Sequence, residues 1–151
     1  MLVDGGLELL DEDEAWALLR GGAVGRVGVT MGAMPAIFPV NYAVLDGAVV
    51  FRTAPGSKLS AAASDAVVAF EVDDYDRADR SGWSVLVVGR SEVVHDLDVT
   101  RRVLAADLEP YADGIRTAIV RIRPVFVSGR RIVREEPKAE PEPTTGAEVD
   151  G

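Results

Sequence analysis

The chain has 151 residues, enough for one domain with its own core and too few for a two-lobed nucleotide-binding enzyme. Apolar residues make up 48% and charged residues 27%, and no apolar stretch approaches the roughly 20 residues that span a bilayer. The absence of cysteine excludes disulfides, thiolate metal sites and cysteine nucleophiles, and a single histidine, His95, cannot form a histidine cluster for a metal. We therefore expect no metal site and no contact with a membrane.

The formal net charge of −9 is unevenly distributed along the chain. Residues 1–14 carry six acids and no base, and residues 135–151 carry six acids and one lysine, which leaves 13 acids and 15 basic residues between them. The slightly cationic middle can therefore hold an anionic ligand despite the acidic total. Nucleic acid is not an expected partner, because no extended basic face alternates with aromatic residues.

Three regions are expected along the chain: an N-terminal arm over residues 1–10, a folded domain over residues 11–134 and a disordered tail over residues 135–151. The tail combines three prolines and many acids with almost no apolar residues, so it cannot bury enough surface to become ordered. The acidic N-terminus lacks the basic residues of a signal peptide, so a cytoplasmic location is expected.

The first predicted element is a helix, with Asp11 as its N-cap, Glu14 as the capping-box partner and Gly21–Gly22 as its end. Three strands follow, over residues 24–30, 36–45 and 48–53. The Asp46–Gly47 pair between the second and third strands predicts a tight hairpin.

The second half of the chain continues with a short helix that opens at Ser57, and with strands over residues 66–75 and 83–95. Gly89 interrupts the longer of these strands and predicts a bend or a bulge. Another helix is expected from Asp98 to Glu109–Pro110, followed by a last strand pair or one bent strand.

These elements predict a mainly β fold, an antiparallel barrel of about six strands with two or three short helices. Some strands are apolar on both faces, for example over residues 66–70 and 85–88. The outer face of such a barrel must be covered, most simply by a second copy of the chain, so a homodimer is expected.

The segment FRTAPGSKL is the most informative stretch for function. It places Arg52 and Thr53 at the end of a strand, and Ser57 and Lys58 at the start of a helix. Backbone N–H groups at a helix start attract anions, and a hydroxyl with two cations adds charge-assisted hydrogen bonds. The pattern fits a phosphate, and it fits two solvated surface cations equally well. Neither a Walker motif nor a G-x-G-x-x-G fingerprint is present.

The succession of VGRVGVT, FPVNY, FRTAPGSKL and GWSVLVVGR resembles the pyridoxamine 5'-phosphate oxidase-like family, the flavin-binding split β-barrels, over residues 11–134. Members are usually homodimers with flavin mononucleotide (FMN) in two clefts between the subunits. The resemblance implies that Arg52, Ser57 and Lys58 hold the FMN phosphate. It also implies that the isoalloxazine ring is contacted by Thr53 and the segment Pro39, Val40 and Asn41. Vitamin B6 oxidation is not expected, because the family's C-terminal substrate motif is missing.

Four further residues have two interpretations each. Trp83 could stack on the flavin or line the substrate pocket, from the same or the partner subunit, or it could pack in the dimer core. Arg121 and Arg123 could bind an anionic cofactor tail, but such pairs more often bind acids on a neighbouring strand. His95 is expected to be a surface or structural residue rather than a catalytic or haem-binding one.

The expected function is that of an FMN-binding oxidoreductase acting on a small molecule at the dimer interface. The flavin would carry the electrons and the protein would position it, so no catalytic residue is assigned. Two alternatives remain open: a reductase that uses 8-hydroxy-5-deazaflavin, and a flavin-binding protein that stores flavin or senses redox state without turnover.

Overall fold

The computed structural model describes residues 2–3, 6–106 and 117–133, and this part of the chain forms eight strands and three helices. In chain order they are β1 (Leu2–Val3), β2 (Leu7–Leu10), α1 (Glu12–Gly21), β3 (Val24–Met31), β4 (Met34–Leu45), β5 (Ala48–Thr53), α2 (Lys58–Ala62), β6 (Ala66–Asp76), β7 (Ser81–Val94), α3 (Leu97–Ala105) and β8 (Ala118–Ile132). The tail predicted over residues 135–151 lies outside the described residues.

Six of the strands close into an antiparallel ring in the order β8, β5, β4, β3, β6 and β7, and β7 pairs again with β8. This ring confirms the predicted mainly β, split-barrel fold. The hairpin of β1 and β2 was not predicted; β2 pairs with the last residues of β8, whereas β5 pairs with its first residues. One edge of β8 thus pairs with two strands, β5 and β2, and its other edge pairs with β7.

The barrel interior holds the main core, which includes Val27, Phe51, Phe70 and Val87, each fully buried. Ala15 and Leu19 of α1 complete this cluster. A second, smaller cluster lies on the outer face of the sheet, where Val103 of α3 packs with residues of β5, β7 and β8 (Val50, Val94 and Ile119). Helix α3 therefore covers part of the outer face.

The local signals of the first half of the chain are confirmed. Asp11 caps α1, and its carboxylate accepts a hydrogen bond from the Glu14 backbone N–H at 2.8 Å. Asp46 and Gly47 have φ values of 51° and 71°, as a two-residue hairpin with a primed turn requires. Ser57 caps α2, as predicted.

The second half departs from the prediction at α3. The helix begins at Leu97 rather than at Asp98, because Asp96 is the N-cap and its carboxylate accepts hydrogen bonds from two backbone N–H groups. It ends at Ala105, and the predicted end at Glu109–Pro110 lies outside the described residues. The last element is one continuous strand, β8, rather than a strand pair.

The predicted irregularity at Gly89 is confirmed by a register shift between Val88 and Gly89 in the pairing of β7 with β8. A Cβ atom at Gly89 would lie 2.2 Å from the Arg123 carbonyl oxygen. Only glycine allows the two backbones to approach so closely.

Within the part of the chain that the structure describes, no helix is both long and apolar enough to cross a membrane.

Candidate functional site

The strands β4 and β5 separate next to Asn41 and Arg52, two of the residues that the resemblance assigns to the flavin. Their pairing ends with Tyr42 opposite Phe51, so Asn41 and Arg52 are the first residues beyond it. Tyr42 and Phe51 belong to the core, and side chains alternate along a strand, so Asn41 and Arg52 both lie on the outer face. The opening in the barrel thus brings two polar residues from two strands to one place.

Arg52 is held in position from the neighbouring strand. It lies opposite Ile119 in the pairing of β5 with β8, and its Nη2 donates to the Thr117 hydroxyl at 2.6 Å. The side chain is partly buried, so the guanidinium is oriented by the fold rather than free in solvent. Thr117 lies 65 positions away and carries no motif, so the sequence alone gives no sign of this contact.

Thr53 and Ser57 meet across the turn between β5 and α2. Their hydroxyl oxygens are 3.2 Å apart, and Ser57 Oγ also accepts from the Ser60 backbone N–H at 3.1 Å. If Thr53 is the donor of the shared bond, the Ser57 hydroxyl hydrogen remains available to an anion. Gly56 makes the turn with a φ of 71°, which a residue with a Cβ rarely adopts.

Lys58 is the exposed first residue of α2 and takes part in none of the ion pairs that we find between described residues. The stretch from Arg52 to Lys58 contains two cations, two hydroxyl groups and no acid. This donor set suits a phosphate dianion, because charge-assisted hydrogen bonds from cations are the strongest that side chains offer.

The segment Pro39, Val40 and Asn41 divides between the two faces of β4. Pro39 is exposed and Asn41 is half-buried, whereas the side chain of Val40 is buried in the core. On one side the segment pairs with β3, and on the other it lies beyond the last pair with β5. Pro39 and Asn41 can therefore face a ligand at the opening, but Val40 can contribute only its backbone.

Trp83 is not brought to this opening by its own chain. It lies opposite Arg131 on β8, twelve positions from Ile119, which borders Arg52. At about 3.3 Å per residue this is about 40 Å of strand. Trp83 packs against the barrel core and lines a cavity of about 420 Å³ at the other end of β8. A role beside the same ligand would require Trp83 of a second copy.

Arg121 and Arg123 bind an acid on a neighbouring strand, which is the second of the two interpretations given for them. Both donate to Glu92 of β7, Arg121 through Nη2 at 2.7 Å and Arg123 through Nε at 3.0 Å. These bonds hold the pKa of the Glu92 carboxyl below its usual range. His95 is exposed and follows the end of β7, as expected for a surface residue.

Comparison with known proteins gives one family and several relatives. The model of the family described as "Pyridoxamine 5'-phosphate oxidase" matches residues 11–131. An uncharacterized protein of Mycobacterium tuberculosis is 43% identical over 131 residues, which are 83% of this chain and 86% of that protein.

Two solved structures of similar fold carry a ligand in their names. The FAD binding protein from Mycobacterium smegmatis is 38% identical, with a TM-score of 0.71, over 83% of this chain and 98% of that one. An FAD-binding protein from Mesorhizobium loti is 26% identical, with a TM-score of 0.67, over 83% of this chain and 97% of that one.

Proposed function

The chain belongs to the pyridoxamine 5'-phosphate oxidase family, and we propose that it binds a flavin nucleotide at the opening between β4 and β5. The observation that carries the proposal is the set of groups at this opening. The stretch from Arg52 to Lys58 supplies two cations and two hydroxyl groups and contains no acid, and Asn41 of β4 supplies an amide. The two similar structures named as FAD-binding proteins support it.

The phosphate end of the nucleotide is assigned to Arg52, Ser57 and Lys58. Arg52 is oriented by Thr117, and Ser57 is oriented by the Ser60 N–H, so both side chains are in place before a ligand arrives. Lys58 supplies a second positive charge from the surface. Preorganised donors of this kind lower the cost of ordering on binding.

The ring end of the nucleotide is assigned to β4, with Asn41 addressing the polar edge of the isoalloxazine and Pro39 presenting an apolar surface. A bound flavin would accept and donate the electrons of the reaction. The residues of this chain would bind the flavin, orient its ring and limit access of water to it. We propose that the reaction is an oxidation or reduction of a small molecule in the cytoplasm.

FMN is the proposed cofactor, because the cations assigned to the phosphate end match a single phosphate. FAD is the second candidate, in view of the two relatives named for it. The visible spectrum of the purified protein, followed by chromatography of the released cofactor, distinguishes FMN, FAD and an 8-hydroxy-5-deazaflavin. A protein that binds none of them after titration would contradict the proposal.

Replacing Lys58 by alanine tests the phosphate assignment. We expect Lys58→Ala to weaken FMN binding by about 1.5 to 3 kcal/mol, the range of a hydrogen bond to a charged group. Folding should be unchanged, since Lys58 is exposed. Fluorescence titration measures the affinity, and Lys138→Ala, the same change at the other lysine of the chain, is the matched control. Equal affinities for the two variants would remove Lys58 from the site.

Turnover separates an enzyme from a flavin store or redox sensor. We expect the flavin-loaded protein to oxidise reduced nicotinamide nucleotides in the presence of an electron acceptor, at a rate above that of free flavin. Tight flavin binding without such turnover would favour the storage or sensor alternative.

We further propose that the working form is a homodimer. Trp83 could then meet the flavin from the second subunit, since its own chain places it at the far end of β8.

A further inference from the structure

A second cavity, of about 260 Å³, lies between the β4–β5 hairpin, α3 and the outer face of β8. Its lining contains none of the residues assigned to the flavin, from Pro39 to Asn41, from Arg52 to Lys58, or Trp83. The cavity is therefore a separate feature of the outer face, and it concentrates three of the chain's arginines.

Positive charge exceeds negative charge at the end of the cavity that Arg121 and Arg123 line. Arg121 donates to Glu92 Oε1 through both Nε and Nη2, and Arg123 donates to the same oxygen through Nε. Two guanidinium groups thus share one carboxylate, which leaves one positive charge in surplus. The terminal nitrogens of Arg123 and Nη1 of Arg121 make no hydrogen bond among those found between the described residues.

The third arginine of the cavity is matched by an acid. Arg102 of α3 binds both carboxylate oxygens of Asp46 in the hairpin, and Asp98 on the same helix also acts on its charge. Arg102 and Asp46 therefore join α3 to the hairpin. Among the described residues, Asp46, which also acts on the charge of Arg121, is the one acid that lines the cavity, against three arginines, so the lining carries an excess of positive charge.

The rest of the lining is apolar. Val50 is fully buried, and Leu45 and Val99 are partly buried in the small cluster beneath α3. A pocket with an apolar wall and a few convergent charged groups is the usual form of a small-molecule site. We propose that this cavity binds a small organic anion, with one carboxylate or phosphate group on an apolar body.

Calorimetric titration with phenyl phosphate and with benzyl alcohol tests the charge requirement. Phenyl phosphate carries the anion and an apolar ring, and we expect it to bind with a Kd below about 1 mM. Benzyl alcohol has a similar ring without the charge, and we expect at least tenfold weaker binding. Equal binding of the two compounds, or no binding of phenyl phosphate, would overturn the proposal.

Two substitutions with opposite expected effects locate the bound probe. Arg123→Gln removes the more exposed member of the pair and should weaken phenyl phosphate binding at least fivefold. Asp46→Asn leaves Arg102 without its carboxylate and should tighten binding at least threefold. Asparagine tolerates the positive φ of position 46, so the hairpin should persist. Arg130→Gln, an exposed arginine beyond the bulge on the same strand, is the matched control.

Binding of the probe at the flavin site is detected by saturating that site with FMN before the titration. We expect phenyl phosphate to bind the FMN-loaded protein with the same affinity as the protein without FMN. A loss of probe binding in the FMN-loaded protein, with none in Arg123→Gln, would place the probe at the flavin site and overturn the proposal for the cavity. Failure of flavin binding alone would leave the result for the cavity unaffected.

Discussion

Two acidic residues of β6 share one cation at the edge of the outer face. Arg26 of β3 lies opposite Glu71, with Nη1 3.8 Å from Glu71 Oε1 and Nη2 3.3 Å from Asp73 Oδ1. Partial burial and the neighbouring Asp73 raise the pKa of Glu71 to about 7, although Arg26 opposes the shift. Glu71 thus keeps its proton in the folded protein at a pH where an unfolded chain has lost it.

This raised pKa predicts a pH-dependent stability. The contribution of Glu71 is fully present below its ordinary pKa of 4.5 and is lost as the pH rises to about 7. Because Glu71 is partly exposed, screening limits the effect to about 1 kcal/mol. Glu71→Gln, which cannot ionise, should therefore be more stable than the wild type by about this amount at pH 8, and not at pH 4. Urea unfolding at pH 8 and at pH 4 measures the difference in free energy of unfolding between the two proteins. An equal difference at both pH values would contradict the prediction.

The long pair of β7 and β8 closes the barrel, and its bulge decides how closely the two strands approach. The register shift lies at Gly89, where the Arg123 backbone occupies the space of a side chain. The bulge also separates the half of β8 that borders β5 from the half that borders β2. The two candidate ligand sites lie along the first of these halves.

Gly89→Ala should therefore destabilise the barrel. A Cβ atom placed 2.2 Å from a carbonyl oxygen forces the strands apart, and overpacking of this kind costs about 2 kcal/mol. Gly21→Ala is the control, since a Cβ at the end of α1 meets nothing within 4 Å and alanine favours a helix. Chemical denaturation should show a loss for Gly89→Ala and no loss for Gly21→Ala. A Gly89→Ala protein as stable as the wild type would show that the strands can separate without cost.

On the outer face of the molecule, an apolar row crosses five strands. Pairing places its members side by side on the outer face: Ile37, Gly28, Ala69, Val88 and Phe126. Ile37 and Phe126, at the two ends, are 72% and 54% exposed. An exposed apolar patch of this kind marks an interaction surface, and a second copy of the chain is the partner that the proposed homodimer supplies.

Light scattering at micromolar concentration should give twice the chain mass of 16.1 kDa. Phe126→Asp puts a charge into the row and should yield the monomer, whereas Leu97→Asp, an equally polar change at an exposed residue of α3, should leave the dimer intact. A wild-type protein of monomer mass, or a Phe126→Asp variant that stays dimeric, would contradict the assignment of this face.

Signals confined to a few neighbouring residues were sufficient for much of the fold and for part of the candidate site. Asp11 and Glu14, the Asp46–Gly47 hairpin and the glycine at the bulge all act through backbone geometry that the residue types themselves decide. The contact between Thr53 and Ser57 spans four positions, so it too could be anticipated from the segment that contains both.

Contacts between distant segments were decided by the tertiary structure alone. The register of β8 with β5 and β7 brings Thr117 to Arg52 and Glu92 to Arg121, and it places Trp83 at the far end of the barrel. The strand β2 exists because β8 offers it an edge. Local propensity predicts that a segment is a strand, but which residues face one another across strands depends on how the whole ring closes, and that closure is a property of all six strands together.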